Sequence, residues 1–295
     1  MPAQILDGKK IGQAIRDGIR REIDEIARRG EVRPKLAVVL VGEDPASQIY
    51  VRNKQRACRE AGIETEDHLP SADVSQSALA NLVSRLNEDP TVHGILVQLP
   101  LPKHIEENLI IEGIQPQKDV DGFHPYNLGK LILGEDALAP ATPCGVIAML
   151  DSAGIEIQGK NVTVVGRSRI VGKPLAALFL NRSATVTVCH SKTRDLKEEC
   201  RRADIVVAAV GKARLIGADH VREGAVVIDV GINRVGDKWV GDVDFDAVVE
   251  KAAVITPVPG GVGPMTITML LANTLKAYRL QRRDAGRAAS ARMYD

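Results

Sequence analysis

Apolar positions near the start of the chain, Ile11, Ile15, Ile19, Ile23 and Ile26, recur every three or four residues and share one helical face. They predict a helix over 9–29, ended by Gly30. The run Lys35 to Val41 then reads as a buried strand. After the loop GEDPA, residues 46–61 read as a second helix closed by Gly62. Leu79, Leu82, Val83 and Leu86 mark a third helix, followed by a buried strand from Gly94 to Leu99. Between Pro100 and Pro143 the chain is rich in Pro, Gly and Asp, with one short helical stretch near 105–114, as a domain crossing would be.

Strands then recur at Val162–Val165, Thr185–Cys189, Ile205–Val210, Ala225–Val230 and Ala253–Thr256, with a helical face from Pro174 to Leu180. Strand alternating with helix predicts an α/β fold with parallel sheets. The expected division is a first domain over 1–140 and a Rossmann-like second domain over 141–264, with a cleft between them. A last helix over 265–281 is expected to pack back on the first domain, and 284–295 to form a mobile tail.

The segment NVTVVGRSRIVGKP passes from strand through Gly166 into a helix, which aims backbone N–H groups at a pyrophosphate. The fingerprint is imperfect, because Ser168 holds the second glycine position and the next glycine is Gly172. An ordinary α/β crossover would share these features. The end of the next strand says more. A free ribose hydroxyl is usually met there by Asp or Glu, whereas this chain reads His190, Ser191, Lys192, Thr193, Arg194. Hydroxyls and cations suit a 2′-phosphate, so NADP is favoured over NAD.

At 295 residues with 44% hydrophobic content, the chain can build two real cores. A formal net charge of +1 and 3% aromatics give neither a phosphate-backbone footprint nor stacking platforms, so nucleic acid is not an expected partner. No apolar run approaches the roughly 18 residues of a membrane span, and no signal-peptide core opens the chain, so a cytoplasmic protein is expected. Cys58, Cys144, Cys189 and Cys200 lack metal-ligand spacing and the histidines are scattered, so no metal site is expected.

Tyr50 and Lys54 are one helical turn apart and can meet one ligand, although an ordinary helix carries such pairs with the lysine solvated. Gln98 ends the strand GILVQLP, where α/β sheets place ligand contacts; an amide tying down the following turn is the plainer alternative. The loop KDVDGFHPYN concentrates Asp119 and Asp121, each of which can also be a turn former. TPVPGGVGP lets backbone approach a ligand closely, or makes a hinge.

Together, ASQIYVRNK, GILVQLPLP, KDVDGFHPYNLG, VVGRSRIVGKP, CHSKT and TPVPGGVGPMT closely resemble the bifunctional methylenetetrahydrofolate dehydrogenase/methenyltetrahydrofolate cyclohydrolase family, in order and over nearly all of the chain. The resemblance implies that Lys54 is the catalytic lysine, Tyr50 stacks on the folate, Gln98 positions the lysine and Asp121 holds the pterin. It also carries over Gly166, Arg167, Ser168, Ser191 and Ile232 as NADP contacts, with Arg167 and Ser191 on the 2′-phosphate. Thr142 is placed near the nicotinamide, and Pro259, Gly260, Gly261, Val262 and Gly263 along the folate.

Many relatives read PCTP where this chain has Pro140, Ala141, Thr142 and Pro143, which excludes a thiol there. A homodimer is implied as well. A free lysine titrates near about 10.4, so a basic lysine near neutrality requires a fall of roughly three units. Partial desolvation of Lys54 and a hydrogen bond between its amine and Gln98 are therefore expected.

The alternatives are a dehydrogenase of the same family without the hydrolytic step, a non-catalytic NADP-sensing module, and a shikimate-dehydrogenase-like reductase. Lys54 and Gln98 argue against the first, and Tyr50, Lys54 and Asp121 in family contexts against the second. The third would lack the DVDGFHP and PVPGGVG segments.

Overall fold

The structure, a computed structural model, describes residues 3–291, of which 46 and 284–291 are described by backbone alone. It divides into two compact units.

One unit contains Ile15–Lys130, Asp136–Ala139 and the chain from Leu270 onward. Its sheet is parallel, with β2 (Lys35–Val39) between β3 (Glu64–His68) and β4 (Gly94–Val97). Leu36 to Val39 are buried, as a central strand covered on both faces must be. β3, ETEDH, is a polar edge strand with no apolar pattern, and sequence periodicity gives no sign of it. Helices α2 (Pro45–Ala61), α3 (Gln76–Glu88) and α4 (Glu107–Gly113) belong to this unit, as do the greater parts of α1 (Gly8–Arg28) and α5 (Pro125–Ile132). Its core joins Ala37, Val39, Ile95 and Val97 of the sheet to Leu79, Val83 and Leu86 of α3.

The other unit contains the chain up to Ala14, Leu131–Glu135 and Pro140–Met269. Its six-stranded sheet has the order β1-β11-β8-β7-β5-β6, every pair parallel. The strands are β1 (Gln4–Ile5), β5 (Asn161–Val165), β6 (Thr185–Cys189), β7 (Ile205–Ala208), β8 (Val226–Asp229) and β11 (Val254–Ile255). Helices α6 (Ala141–Ser152), α7 (Gly172–Asn181), α8 (Leu196–Arg201) and α9 (Phe245–Val248) connect them, and β9 (Asn233–Val235) with β10 (Lys238–Val240) forms a separate antiparallel hairpin. Strands β6 and β7 flank β5 on opposite sides, so the order reverses at β5, and a crevice opens there beyond the strand ends.

Two expectations need correction. The chain up to Ala14 falls in the unit of the six-stranded sheet, not in a domain over 1–140, because Gln4 and Ile5 pair with Val254 and Ile255 of β11. A two-residue strand leaves no periodic signal. The last helix, α10, spans Val262–Ala291 rather than 265–281, so it takes in much of the stretch expected as a tail; residues 292–295 lie outside the described residues.

Candidate active site

The position of α2 follows from local chemistry at both its ends. Asp44 accepts the Ser47 N–H at 2.8 Å, Pro45 opens the first turn, and Gly62 closes the helix in the left-handed region at φ +83°. Val51, Cys58 and Ala61 are buried, while Tyr50 is left 52% exposed and Lys54 half-buried. Lys54 Nζ donates to Gln98 Oε1 at 3.1 Å. Gln98 Nε2 in turn donates to the Leu99 carbonyl at 2.7 Å, which turns the amide oxygen toward the lysine.

The loop that carries Asp121 is fastened along its length. Lys118 is buried, and its ammonium donates to the carbonyls of Leu86 (3.0 Å), Asn87 (2.8 Å) and Asp89 (2.7 Å). All three of its hydrogens are used, on carbonyls in and just beyond the last turn of α3. The carboxylate of Asp119, also buried, accepts N–H groups from Gly122, His124 and the Asn127 side chain at 3.1, 2.8 and 3.1 Å. Asn273 of α10 donates to the carbonyls of Val120 and Ala139, each at 2.8 Å.

Asp121 stands between these anchors. Burial pushes its carboxyl up to about 6, the Lys54 charge opposes that rise, and Asp119 adds to it. This unit therefore brings together Tyr50, Lys54, Gln98 and Asp121. The anchoring roles of Lys118, Asn127 and Asn273 leave no pattern in sequence, although a buried Asn on an apolar helix is a signal in itself.

In the other unit, Gly166 follows β5 at φ +128°, and a Cβ there would overlap the Ala209 carbonyl. A Cβ on Gly172, at the start of α7, would overlap the carbonyl of Gly166, so helix and turn touch backbone to backbone. Ser168 Oγ accepts N–H groups from Val171 (3.1 Å) and Gly172 (3.3 Å), and its hydroxyl hydrogen remains available. The switch-point crevice is a cavity of about 590 Å³ whose lining includes Gly166, Arg167, Ser168, His190, Ser191 and Lys212.

The turn after β6 is fixed by His190 N–H on Thr193 Oγ1 (2.9 Å), Thr193 N–H on the His190 carbonyl (2.8 Å) and Lys192 N–H on His190 Nδ1 (3.1 Å). Ser191, Lys192 and Arg167 stay exposed, with no carboxylate from His190 to Arg194. This chemistry fits a dinucleotide that carries a 2′-phosphate.

The remaining candidates also lie in this unit. Gly8 N–H donates to the Gly260 carbonyl at 3.0 Å, and Gly261 N–H to that of Pro257 at 2.9 Å. A Cβ on Gly8 would overlap the Gly261 carbonyl. These contacts hold Pro259 to Gly263 in a fixed turn at the start of α10. Ile232 Cδ1 lies 3.6 Å from where a Gly263 Cβ would stand. Thr142 Oγ1 is 2.9 Å from Thr266 Oγ1, a partner the sequence did not single out. Among the described residues, no cluster of three or more His, Cys, Asp or Glu could hold a metal ion.

Comparison with known proteins gives a consistent result. A family model described as tetrahydrofolate dehydrogenase/cyclohydrolase, catalytic domain, matches residues 6–121, and the NAD(P)-binding domain model of that family matches 140–282. The chain is 59% identical over 280 residues to a bifunctional protein FolD from Moorella thermoacetica, covering 95% of this chain and all of that protein. It resembles the crystal structure of the bifunctional enzyme FolD from Campylobacter jejuni with a TM-score of 0.93 at 47% identity, covering 95% of this chain and 99% of that one. A Trypanosoma brucei methylenetetrahydrofolate dehydrogenase-cyclohydrolase, solved with NADP cofactor and an inhibitor, matches with a TM-score of 0.91 at 41% identity over 96% of this chain and 99% of that chain.

Proposed function

Because this chain belongs to the tetrahydrofolate dehydrogenase/cyclohydrolase family, we propose a division of labour among its residues for that family's two consecutive reactions. The protein is a bifunctional one-carbon enzyme. It oxidises 5,10-methylenetetrahydrofolate to the 5,10-methenyl cation and hydrolyses that cation to 10-formyltetrahydrofolate. The observation that carries the hydrolytic half, against a dehydrogenase alone, is Lys54 hydrogen-bonded to Gln98 within electrostatic reach of Asp121.

Bound NADP supplies the acceptor for the hydride that leaves the methylene bridge. Gly166 and Ser168 would hold its pyrophosphate, Arg167 and Ser191 its 2′-phosphate and Thr142 its nicotinamide end, with Ile232 a further contact. The two exposed cations beside Ser191, Arg167 and Lys192, support NADP over NAD.

On the folate, the Asp121 carboxylate accepts the pterin N3–H and 2-amino group side by side, as a carboxylate accepts the fork of an Arg. Tyr50 presents an exposed ring to the aminobenzoyl group. Pro259, Gly260, Gly261, Val262 and Gly263 let backbone approach the substrate closely. Hydrolysis adds water to the methenyl carbon, opens the ring and releases one proton. Lys54 handles that proton, and Gln98 Oε1 holds the Nζ in place.

A homodimer and a cytoplasmic location belong to the same proposal and rest on family membership; light scattering of the purified protein tests the first. Among the described residues no helix is long and apolar enough to cross a membrane.

The deciding experiment mixes the protein with 5,10-methylenetetrahydrofolate and NADP, following NADPH and the methenyl absorbance separately. NADPH formation without methenyl build-up is expected. Build-up of methenyl would reduce the protein to a dehydrogenase, and no NADPH would leave only a binding module.

A further inference from the structure

Beyond the cofactor contacts, a fully buried carboxylate organises the loops at the rim of the crevice. Asp242 is 0% exposed. Its Oδ2 accepts the N–H groups of Val210 (2.6 Å) and Gly211 (2.9 Å). Its Oδ1 accepts the Lys212 N–H (2.8 Å) and the Asn233 side-chain amide (2.9 Å). Two carboxylate oxygens offer about four lone-pair sites, and here all are taken. Three successive backbone N–H groups on one acid define the course of 210–212, with Gly211 at φ +66° to make the turn.

Asp242 is itself held from beneath. Its backbone N–H donates to Asp229 Oδ1 at 2.9 Å, and Asp229 also accepts the N–H groups of Gly231 (3.0 Å) and Val243 (2.9 Å). A Cβ on Gly231 would overlap the Asp242 carboxylate, and one on Gly241 the Asp229 carboxylate. The two acids thus nest between glycines, with Asp229 ending β8 and Asp242 following β10.

We infer that Asp242 is a positioning residue for the cofactor site. It fixes 210–212, of which Val210 and Lys212 line the switch-point cavity, and through Asn233 it fixes the segment that carries Ile232. The residues it orders are two strand ends apart in sequence yet share one acceptor. This inference rests on the reading of that cavity as the NADP site. Asn in place of Asp242 would turn an NH₂ toward N–H donors, so at least two of the four bonds would be replaced by donor–donor contacts.

The test is calorimetric binding of NADP to wild type, Asp242→Asn and Asn233→Ala, with hydrolysis of added 5,10-methenyltetrahydrofolate measured alongside, since that reaction needs no NADP. Expected are a rise in NADP Kd of about tenfold or more for Asp242→Asn and roughly two- to fivefold for Asn233→Ala, with hydrolysis within about twofold of wild type. An unchanged Kd in Asp242→Asn overturns the inference. So does loss of NADP binding and hydrolysis together while Asn233→Ala is neutral, which would make Asp242 a residue of stability only. Should Asp242→Asn fail to fold, Asn233→Ala decides, an unchanged Kd counting against. Wild type that bound no NADP would overturn the cofactor reading itself.

Discussion

Lys54 Nζ reaches Gln98 Oε1 at 3.1 Å, and the same amide is locked by its Nε2 on the Leu99 carbonyl at 2.7 Å. The second bond makes the first directional: with the amide nitrogen committed to the Leu99 carbonyl, the oxygen is left facing the lysine. The pair joins the middle of α2 to the residue that follows β4, a strand paired in parallel with β2, across a sequence separation of 44 residues.

Replacing Lys54 by Met keeps the length of the side chain and removes the amine. General acid–base catalysis contributes about 10²- to 10⁴-fold, so Lys54→Met should lower cyclohydrolase turnover at least about a hundredfold while NADPH still forms and methenyl accumulates. Gln98→Ala leaves the amine but frees it, and should cost about tenfold. Normal hydrolysis in Lys54→Met would remove the lysine from the reaction.

The Asp121 carboxyl is pushed up to about 6 chiefly by burial, so its proposed role on the pterin should make folate recognition pH-dependent. Only the ionised form accepts both pterin N–H groups, so binding is complete above that value and weakens as pH falls through it. Between pH 7 and pH 5 the KM for methylenetetrahydrofolate should rise about tenfold, and Asp121→Asn should be weak at both. A flat KM profile in wild type would separate Asp121 from the pterin.

On the proposed reading, Arg167 after β5 and Ser191 after β6 set the cofactor preference. Arg167 and Ser191 are exposed at the cavity and no acid stands between His190 and Arg194. A 2′-phosphate contact of about 1.5–3 kcal/mol gives a preference for NADP of roughly ten- to a hundredfold. Arg167→Ala with Ser191→Ala should erase it by raising the KM for NADP, with the KM for NAD little changed. Equal losses with both cofactors would place these residues elsewhere on the dinucleotide.

Much of this was legible in the chain itself. The helix through Ile15 and Ile23, the strand Leu36–Val39 and the turn at Gly166 follow from periodicity and from a glycine where a Cβ would overlap the Ala209 carbonyl. Tyr50 and Lys54 share a face by spacing alone. What stayed hidden is long-range or polar. β3 is a charged edge strand, β1 is two residues long, and the bonds from Asp242 to Val210–Lys212 span about thirty positions. Hydrogen-bond anchors such as Lys118 and Asn273 carry no period, because their partners are carbonyls, which every residue has.

Those anchors lead to a prediction about acid stability. His93 is 5% exposed, and burial, with Lys118, Arg282 and Lys35 adding positive charge, pushes its imidazole down to about 4. Its Nδ1 accepts the Lys35 N–H at 3.1 Å, and its ring meets Tyr278 edge-on at 4.9 Å between centroids. A protonated ring would set N–H against N–H. The folded value lies below the unfolded one near 6.5, so the unfolded chain binds the proton more readily. Stability from neutral His93 is therefore complete above pH 6.5 and is lost as pH falls toward 4, by up to about 3 kcal/mol. Asp229, whose burial raises it to about 6, works in the opposite sense: its ionisation costs stability as pH rises from about 4 to 6. The two partly cancel in the whole protein, so the difference between wild type and His93→Asn isolates the histidine, Asn keeping an acceptor near Nδ1 without the charge. Urea unfolding from pH 7 to 4.5 should show wild type losing stability more steeply than the variant. Parallel curves would mean that His93 titrates alike folded and unfolded.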